Sequence, residues 1–364
     1  SRSGPGVAYA AFDAHRDGDF EPYLFRTTDF GETWTSLTAG LPSGSINSMV
    51  EHPENPNLLF VGTEHGLFVS TSTGTDWARL SHLPTTHIDD LVLHPREKDL
   101  VIGTHGQSIW ILDDTRPLAE WTAEVASAPA HVFSIPRATI FNYRKDTSYR
   151  GQAEFHGTNP VDGVLITYTL GPGEGAATLR ITSSSGSVVQ ELVVPSDPGV
   201  HRVNWDLRHS SSIGPQVWIR HDDSELARPI GTEGPWVSPG TYSITLEARE
   251  ASLTQTVEVR GDPLLSLTQA MYEEREVYLL ELIAIGRRID AARPDLRCGQ
   301  NTGGSDDDAG LCQIQSQTRQ LMEALEGRQV RPGSLHPPTP EHTRRKLLIE
   351  DRLDRILSSA RDDR

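Results

Sequence analysis

A mainly β chain with an α-helical tail is predicted by three observations. Residues 1–115 are self-similar at a fixed period, and each repeat holds several short apolar runs. Residues 151–261 hold six further alternating runs separated by turn residues. From residue 262 the apolar spacing changes to that of a helix. The expected architecture is therefore partial β-propeller blades over 1–115, a linker over 116–150, an immunoglobulin-like β-sandwich over 151–261, and a helical region of about three helices over 262–364.

The totals agree with this reading. The chain has 364 residues, enough for two or three domains. Its 31 glycines and 24 prolines stand as single punctuation between apolar runs, as many turns between many strands require. A net charge of −17 repels phosphate backbones, which argues against nucleic-acid binding. No apolar run approaches the ~20 residues of a membrane span.

In the repeat region "SINSMVEH" (45–52) alternates, "NLLFVGT" (57–63) reads as a buried strand, and "GLFVSTS" (66–72) alternates again. His52-Pro53 recurs as His94-Pro95, Gly62-Thr63 as Gly103-Thr104, and Trp34 as Trp77. The three steps are nearly equal. A period of roughly 40–45 residues with several strands per unit is the signature of propeller blades. About two and a half such units fit in 1–115, whereas a ring needs about four to eight. The expectation is that upstream blades of the same precursor, or a partner chain, complete the ring.

The run "TTDFGETW" carries Thr27-x-Asp29-x-Gly31-x-Thr33-Trp34. A short Asp side chain can accept backbone N–H groups within its own turn. Glycine supplies positive φ without steric penalty, and the tryptophan that follows can pack between sheets. The second repeat has Ser70, Gly74 and Trp77 in register, with Ser72 where Asp29 stands. A hairpin keeps its shape through that exchange and a catalytic carboxylate does not, so Asp29 is read as structural.

On these residues the region resembles the Asp-box (BNR) repeat propellers, and among them the bacterial sortilin-like proteins, whose last blade "GTHGQSIWILDD" (103–114) resembles. The resemblance implies an exported protein, secreted, periplasmic or at the cell surface. It implies no reaction, because the repeat serves binding proteins and glycoside hydrolases alike. "FHGTNPVDGVLITYTL", "HRVNWDLRH" and "GPWVSPGTYSITL" resemble the FlgD-like immunoglobulin module, which implies a spacer or adhesion role, with Trp205 in the core.

The tail is expected to begin with a helix at Asp262-Pro263, an N-cap followed by proline at the first position. Leu267, Met271, Tyr278, Leu282, Ile285 and Ile289 give it one apolar face ending near Arg293-Pro294. A polar loop with Asp306, Asp307 and Asp308 follows, then a helix over about 310–327. A third runs from about Glu341 to Ala360, with Leu347, Leu348, Leu353, Ile356 and Leu357 as its apolar face. Cys298 and Cys312 suit one disulfide or two inert thiols, and both readings stay open.

Candidate ligand positions are few. Asp13, Asp17, Asp19 and Glu21 crowd one loop, and their oxygens suit Ca²⁺. His15 and Leu24 break the EF-hand spacing, however, so a solvated insertion is the simpler reading and no cofactor is required. His52 and His94 recur in register, as do His65 and His105, without a zinc-type spacing. His65 and His105 precede glycine in tight turns and would line a channel-mouth site. Asp113-Asp114 are adjacent on a strand and point to opposite faces, a poor acid–base couple. The expected role is therefore binding or scaffolding of peptide, polysaccharide or a partner subunit. The alternatives are a glycoside hydrolase whose catalytic residues lie mostly upstream, and a structural subunit of a surface assembly.

Overall fold

Apolar alternation over 46–52 and the buried run over 58–63 form the clearest unit of the fold. In the computed structural model, which describes residues 1–141, 163–210, 216–217, 233–296, 298, 306–328 and 331–362, the second repeat is a four-stranded antiparallel blade. Its strands are Ile46–His52 (β4), Asn55–Thr63 (β5), Gly66–Ser70 (β6) and Ala78–Arg79 (β7), paired in that order. The first repeat supplies Ala8–Phe12 (β1), Tyr23–Thr27 (β2) and Thr35–Ser36 (β3). The third supplies Ile88–Leu93 (β8), Leu100–Thr104 (β9) and Ile109–Leu112 (β10). By register, β1–β3 correspond to the three outer strands β5–β7, and β8–β10 to the three inner strands β4–β6.

Alternate side chains of β5 face different neighbours. Leu59 and Val61 join Leu24 and Leu37 of the first blade and Ile46 in one apolar cluster. Leu58 and Phe60 join Ile88, Leu91, Leu100 and Ile102 of the third blade in another. Period-2 geometry thus turns one buried strand into the shared core of three blades. The two short helices Arg116–Ala119 (α1) and Ala123–Ser127 (α2) follow, then Ala130–Val132 (β11), which pairs with Tyr168–Leu170. This first compact unit comprises Ser1–Pro136, Thr167–Pro172 and Pro198–Val200.

The second unit holds most of the sandwich and the helices. Ala138–Thr139 (β12) and five later strands form one sheet, while Val164–Leu170 (β13) and Gly199–Trp205 (β16) belong to another. In the larger sheet Ala177–Ser183 (β14) pairs with Val188–Val194 (β15), which also pairs with Gln216–Val217 (β18). On its other side β14 pairs with Gly240–Ala248 (β20), and β20 pairs with Ala251–Arg260 (β21). Arg208–Ser210 (β17) pairs separately with Glu233–Trp236 (β19). Trp205 is buried as expected, donates its indole N–H to Arg208 O (2.9 Å), and meets Tyr242 edge-on at 5.2 Å. The stretch 155–162 of the FlgD-like phrase lies outside the described residues.

Three helices close the chain: Gln269–Ala292 (α3), Asp306–Glu326 (α4) and Pro340–Asp362 (α5). Their starts and faces correct the sequence reading in three places. Asp262 is not the cap of α3: its carboxylate accepts Leu264 N–H (2.9 Å) in a local turn, and Thr268 caps the helix through Met271 N–H (3.4 Å). Asp306, Asp307 and Asp308 are not loop residues but the first turn of α4, where the helix dipole favours carboxylates, and Asp308 pairs with Arg293 at 3.3 Å. In α5 the buried stripe is Lys346, Ile349 and Leu353, with Ile356 and Leu357 partly buried, while Leu347 and Leu348 are exposed. Only one stripe of a surface helix can face its neighbours, and here the stripe is turned by one position. Cys298 and Cys312 form a disulfide that ties the preceding segment to α4.

A buried ionic cluster joins sandwich to helices within this unit. Glu326 at the end of α4 accepts from Arg208 (2.6 Å) and from Arg275 of α3. Arg275 also donates to Ser334 O (2.8 Å) and Leu325 O (3.2 Å), and the Arg208 guanidinium lies 4.3 Å from the Trp236 ring centre. Nearby, burial pushes the Glu276 carboxyl up, but hydrogen bonds from His209 and Ser238 outweigh it and hold the group below the ordinary range.

Candidate binding site at the loop end of the blades

The turn residues come first, because they fix the strands that carry the loops. Asp29 accepts Thr33 N–H (2.9 Å), Thr33 Oγ1–H (2.6 Å) and Thr27 Oγ1–H (2.7 Å), and Thr27 Oγ1 in turn accepts Gly31 N–H (2.9 Å). The Thr33 hydroxyl and amide, with the Thr27 hydroxyl, hold the Asp29 carboxyl down at about 2. In the second turn Ser72 Oγ accepts Asp76 N–H (3.0 Å) and Ser70 Oγ accepts Gly74 N–H (2.8 Å). Gly31 (φ 91°) and Gly74 (φ 82°) occupy the left-handed region in both. Trp77 donates to Leu37 O of the preceding blade (2.8 Å) and packs with Leu37, whereas Trp34 is exposed.

The recurring histidines divide between the two ends of the blades. His52 and His94 sit in the turn between the first two strands of their blades. Their Nδ1 atoms accept backbone N–H groups, from Glu54 (3.3 Å) and Glu97 (3.0 Å). Burial pushes the His52 imidazole below its ordinary pKa. These two are turn-forming. His65 and His105 lie at the opposite end, in the β5–β6 and β9–β10 turns.

That second end gathers the polar side chains. The loop between β1 and β2, the turns after β5 and β9, and the segments entering β4 and β8 all lie there, because Ile46 pairs with Thr63 and Ile88 with Thr104. Ser45 Oγ stands 2.7 Å from Asp13 Oδ1 and 3.1 Å from Glu64 Oε1. The His65 ring packs on Gly44, where an added Cβ would lie 3.3 Å from it. On the third blade the His87 and His105 rings stack at 5.8 Å. The Asp89 carboxylate lies 3.4 Å from His105 Nδ1 and 3.7 Å from His87 Nε2. Two imidazoles and a carboxylate, all open to solvent, can donate to and accept from the hydroxyl, amide or ammonium groups of a ligand.

Sequence reading named His65 and His105 but missed Ser45, Glu64, His87 and Asp89. A signal was present: Ile46 and Ile88 stand one repeat apart, so Ser45 and His87 are equivalent positions. Of the four acids proposed for calcium, Asp13 and Asp19 have carboxylates taken up by neighbouring groups. Asp13 accepts His15 N–H, Ser45 Oγ–H and the His15 ring, which hold its carboxyl well below the usual range. Asp19 accepts Tyr23 O–H (2.6 Å) and Glu21 N–H (3.0 Å), and Asp17 ends a 3₁₀ turn, donating its N–H to Ala14 O (2.9 Å). Among the described residues no three His, Cys, Asp or Glu side chains converge as a metal set. Asp114 caps the end of the third blade, accepting Arg116 N–H (3.2 Å) and the Arg116 guanidinium (2.6 Å).

No protein-family profile matches the sequence, and no curated protein does. Among solved structures the chain is similar to an ancestral GH74 enzyme (10% identity, TM-score 0.24) over 70% of its own length and 45% of that protein's. It is similar to the GH74 xyloglucanase from Xanthomonas campestris (12%, 0.26) over 70% and 35%. It is also similar to the extracellular domain of a one-component system of B. thetaiotaomicron (12%, 0.23) over 71% and 29%. The chain thus spans less than half the length of each. Similarity at this level assigns neither activity nor ligand.

Proposed function

We propose that this chain belongs to an extracytoplasmic binding or scaffold protein of the Asp-box repeat type, akin to the bacterial sortilin-like proteins. The blade loops hold the ligand, and a FlgD-like immunoglobulin module and the helices act as spacer. The observation that carries this is the His87–Asp89–His105 cluster, which is open to solvent at the loop end while the Asp-box carboxylate of Asp29 is taken up by its own turn. The ligand classes that suit it are polysaccharide hydroxyls and peptides with basic groups. The Cys298–Cys312 disulfide fits an oxidising compartment. Among the described residues no helix is long and apolar enough to cross a membrane.

The test is calorimetric titration of the full chain with a panel of neutral oligosaccharides and Lys/Arg-containing peptides, repeated with the double variant His87→Ala/His105→Ala. The expected result is saturable binding weakened by at least about fivefold in the variant, since each lost ligand hydrogen bond removes roughly 0.5–1.5 kcal/mol. Binding that is indifferent to the double substitution would sink the assignment to this end of the blades. Release of new reducing ends from a polysaccharide would replace it with the glycoside hydrolase reading.

A further inference from the structure

We propose that the groove between the sandwich and helix α3 is a second ligand site, one that takes a neutral saccharide. The groove lies wholly within the second unit. The inference therefore goes beyond the reading of the blade loops and does not depend on it. It makes the module and its helices more than a spacer.

The groove follows from how two elements meet. On α3, Gln269, Glu273, Glu276 and Leu280 recur at helical spacing and share one stripe. Opposite them stand the serine turn that joins β14 to β15 and the segment Ser238–Tyr242 that leads into β20. The space between is about 350 Å³, at the small end of the ~300–1,000 Å³ of ligand pockets. Glu276 holds the two walls together. One of its oxygens bonds His209 Nε2, and the other accepts Ser238 N–H (3.0 Å). A site carried by strands and a helix, and locked by such contacts, is pre-organised.

Ser238 is the observation that points to a ligand. The residue is 5% exposed. Its N–H goes to Glu276, and its carbonyl accepts Tyr242 O–H (2.7 Å). Its Oγ is buried, yet has no hydrogen-bond partner among the described residues. A buried hydroxyl without a partner costs stability, and such groups are rare in folded chains. Ser238 lines the groove, and its hydroxyl turns on a single bond between staggered positions.

The rest of the lining decides the class of ligand. Among the described residues no lysine or arginine lines the groove, and Glu273 and Glu276 would repel an anion. Glu276 is already matched by His209 and Ser238 N–H, so one carboxylate, Glu273, faces any cation. It too accepts a hydrogen bond, from Gln269 (2.9 Å). An apolar ligand would strand the hydroxyls of the serine turn and of Ser238. Those turn hydroxyls are chained, Ser183 to Ser185 at 2.8 Å and Ser185 to Ser187 at 3.2 Å. A chained hydroxyl still has a lone pair to offer, and the end of the chain has a proton. Sugar hydroxyls, each both donor and acceptor, match such a row. Pro239 and Leu280 add apolar surface for the C–H face of a sugar ring.

The probe is an array of neutral gluco-, galacto-, manno-, xylo- and N-acetylhexosamine oligosaccharides, presented to the full chain. Every glycan bound is then titrated against Glu273→Ala, Ser238→Ala and His87→Ala/His105→Ala. At least one glycan is expected to lose about fivefold or more in affinity with each groove variant, the effect of losing about one hydrogen bond to the ligand. The histidine double variant is expected to bind that glycan as the parent does. The denaturant midpoint of Ser238→Ala is expected to hold or rise, because its hydroxyl gives up no bond in the unliganded chain. Lost binding in a chain of unimpaired stability therefore reports on the groove and not on unfolding. If no glycan on the array weakens with the groove variants, including the case where none binds, the proposal is overturned. A lowered midpoint for Ser238→Ala would show its hydroxyl already satisfied and would overturn it too. Spermidine or inorganic phosphate binding in a way that the groove variants abolish, with no glycan doing so, would replace the saccharide by a charged ligand.

Discussion

Asp29 and Ser72 occupy one position in two turns, and of the two only Asp29 is ionised. Both accept the amide four positions on, from Thr33 at 2.9 Å and from Asp76 at 3.0 Å. The folded pKa of Asp29, about 2, lies below the ordinary carboxylate value of about 3.9. Its contribution to stability is therefore present above about pH 4 and is lost as pH falls through about 2. Serine does not titrate in this range. Amide exchange followed by NMR should show Gly31 and Thr33 losing protection as pH drops from about 4 to about 2, with Gly74 and Asp76 unaffected beyond any global change. Equal loss at both turns would mean the Asp29 carboxylate does not hold its hairpin. The same comparison explains why the residue could be read as structural before any geometry was known: an exchange of Asp for Ser preserves an acceptor and abolishes a charge.

At the scale of the element, the strands were legible and the helix faces less so. Strands β4–β6, β8–β10, β13–β16, β20 and β21 fall where alternation and turn residues place them, because period-2 burial writes itself directly into sequence. The start of α3 did not, because Asp262 and Thr268 are both competent acceptors and only the path of the chain decides which meets a helical N–H. Junction glycines carry a sharper test of the blades. Gly62→Ala should destabilise the protein by about 1–3 kcal/mol through overpacking against Ile88. Gly103→Ala should be neutral or stabilising by up to about 1 kcal/mol, since nothing crowds the added methyl and the unfolded chain loses freedom. Denaturant midpoints of the two variants check this, and equal losses would contradict the blade equivalence.

Over the whole molecule, the second unit is tied by an ion cluster that no local pattern announces. Arg208, Arg275 and Glu326 are far apart in the chain, yet one carboxylate accepts from both guanidiniums in a buried setting. Removing the shared carboxylate takes an anionic partner from two buried guanidiniums, so Glu326→Ala should lower stability by about 3–5 kcal/mol. Thermal unfolding with separate probes would register the loss. A change below about 1 kcal/mol, the range of exposed pairs, would show the cluster to be solvated. In the first unit, the loop-end site is likewise a whole-molecule property, because Asp13, Ser45 and Glu64 come from three separate connections.

Sequence alone determined the repeat, its strands, the hairpin chemistry of Thr27–Trp34, the buried Trp205 and the three helices, because each is written in local period or in a turn of a few residues. It also placed His65 and His105 in equivalent turns. Tertiary structure decided which histidines are turn-forming and which stand at the loop end, which cysteine reading holds, and which stripe of α5 is buried. It also decided that Ile109, Ile111 and Trp34 stand uncovered where Leu67, Val69 and Trp77 are packed. The physical reason is the same in every case. Exposure and ion pairing depend on what lies across a gap in space, and residues of equal chemistry at equal repeat positions differ only in whether a neighbour is there.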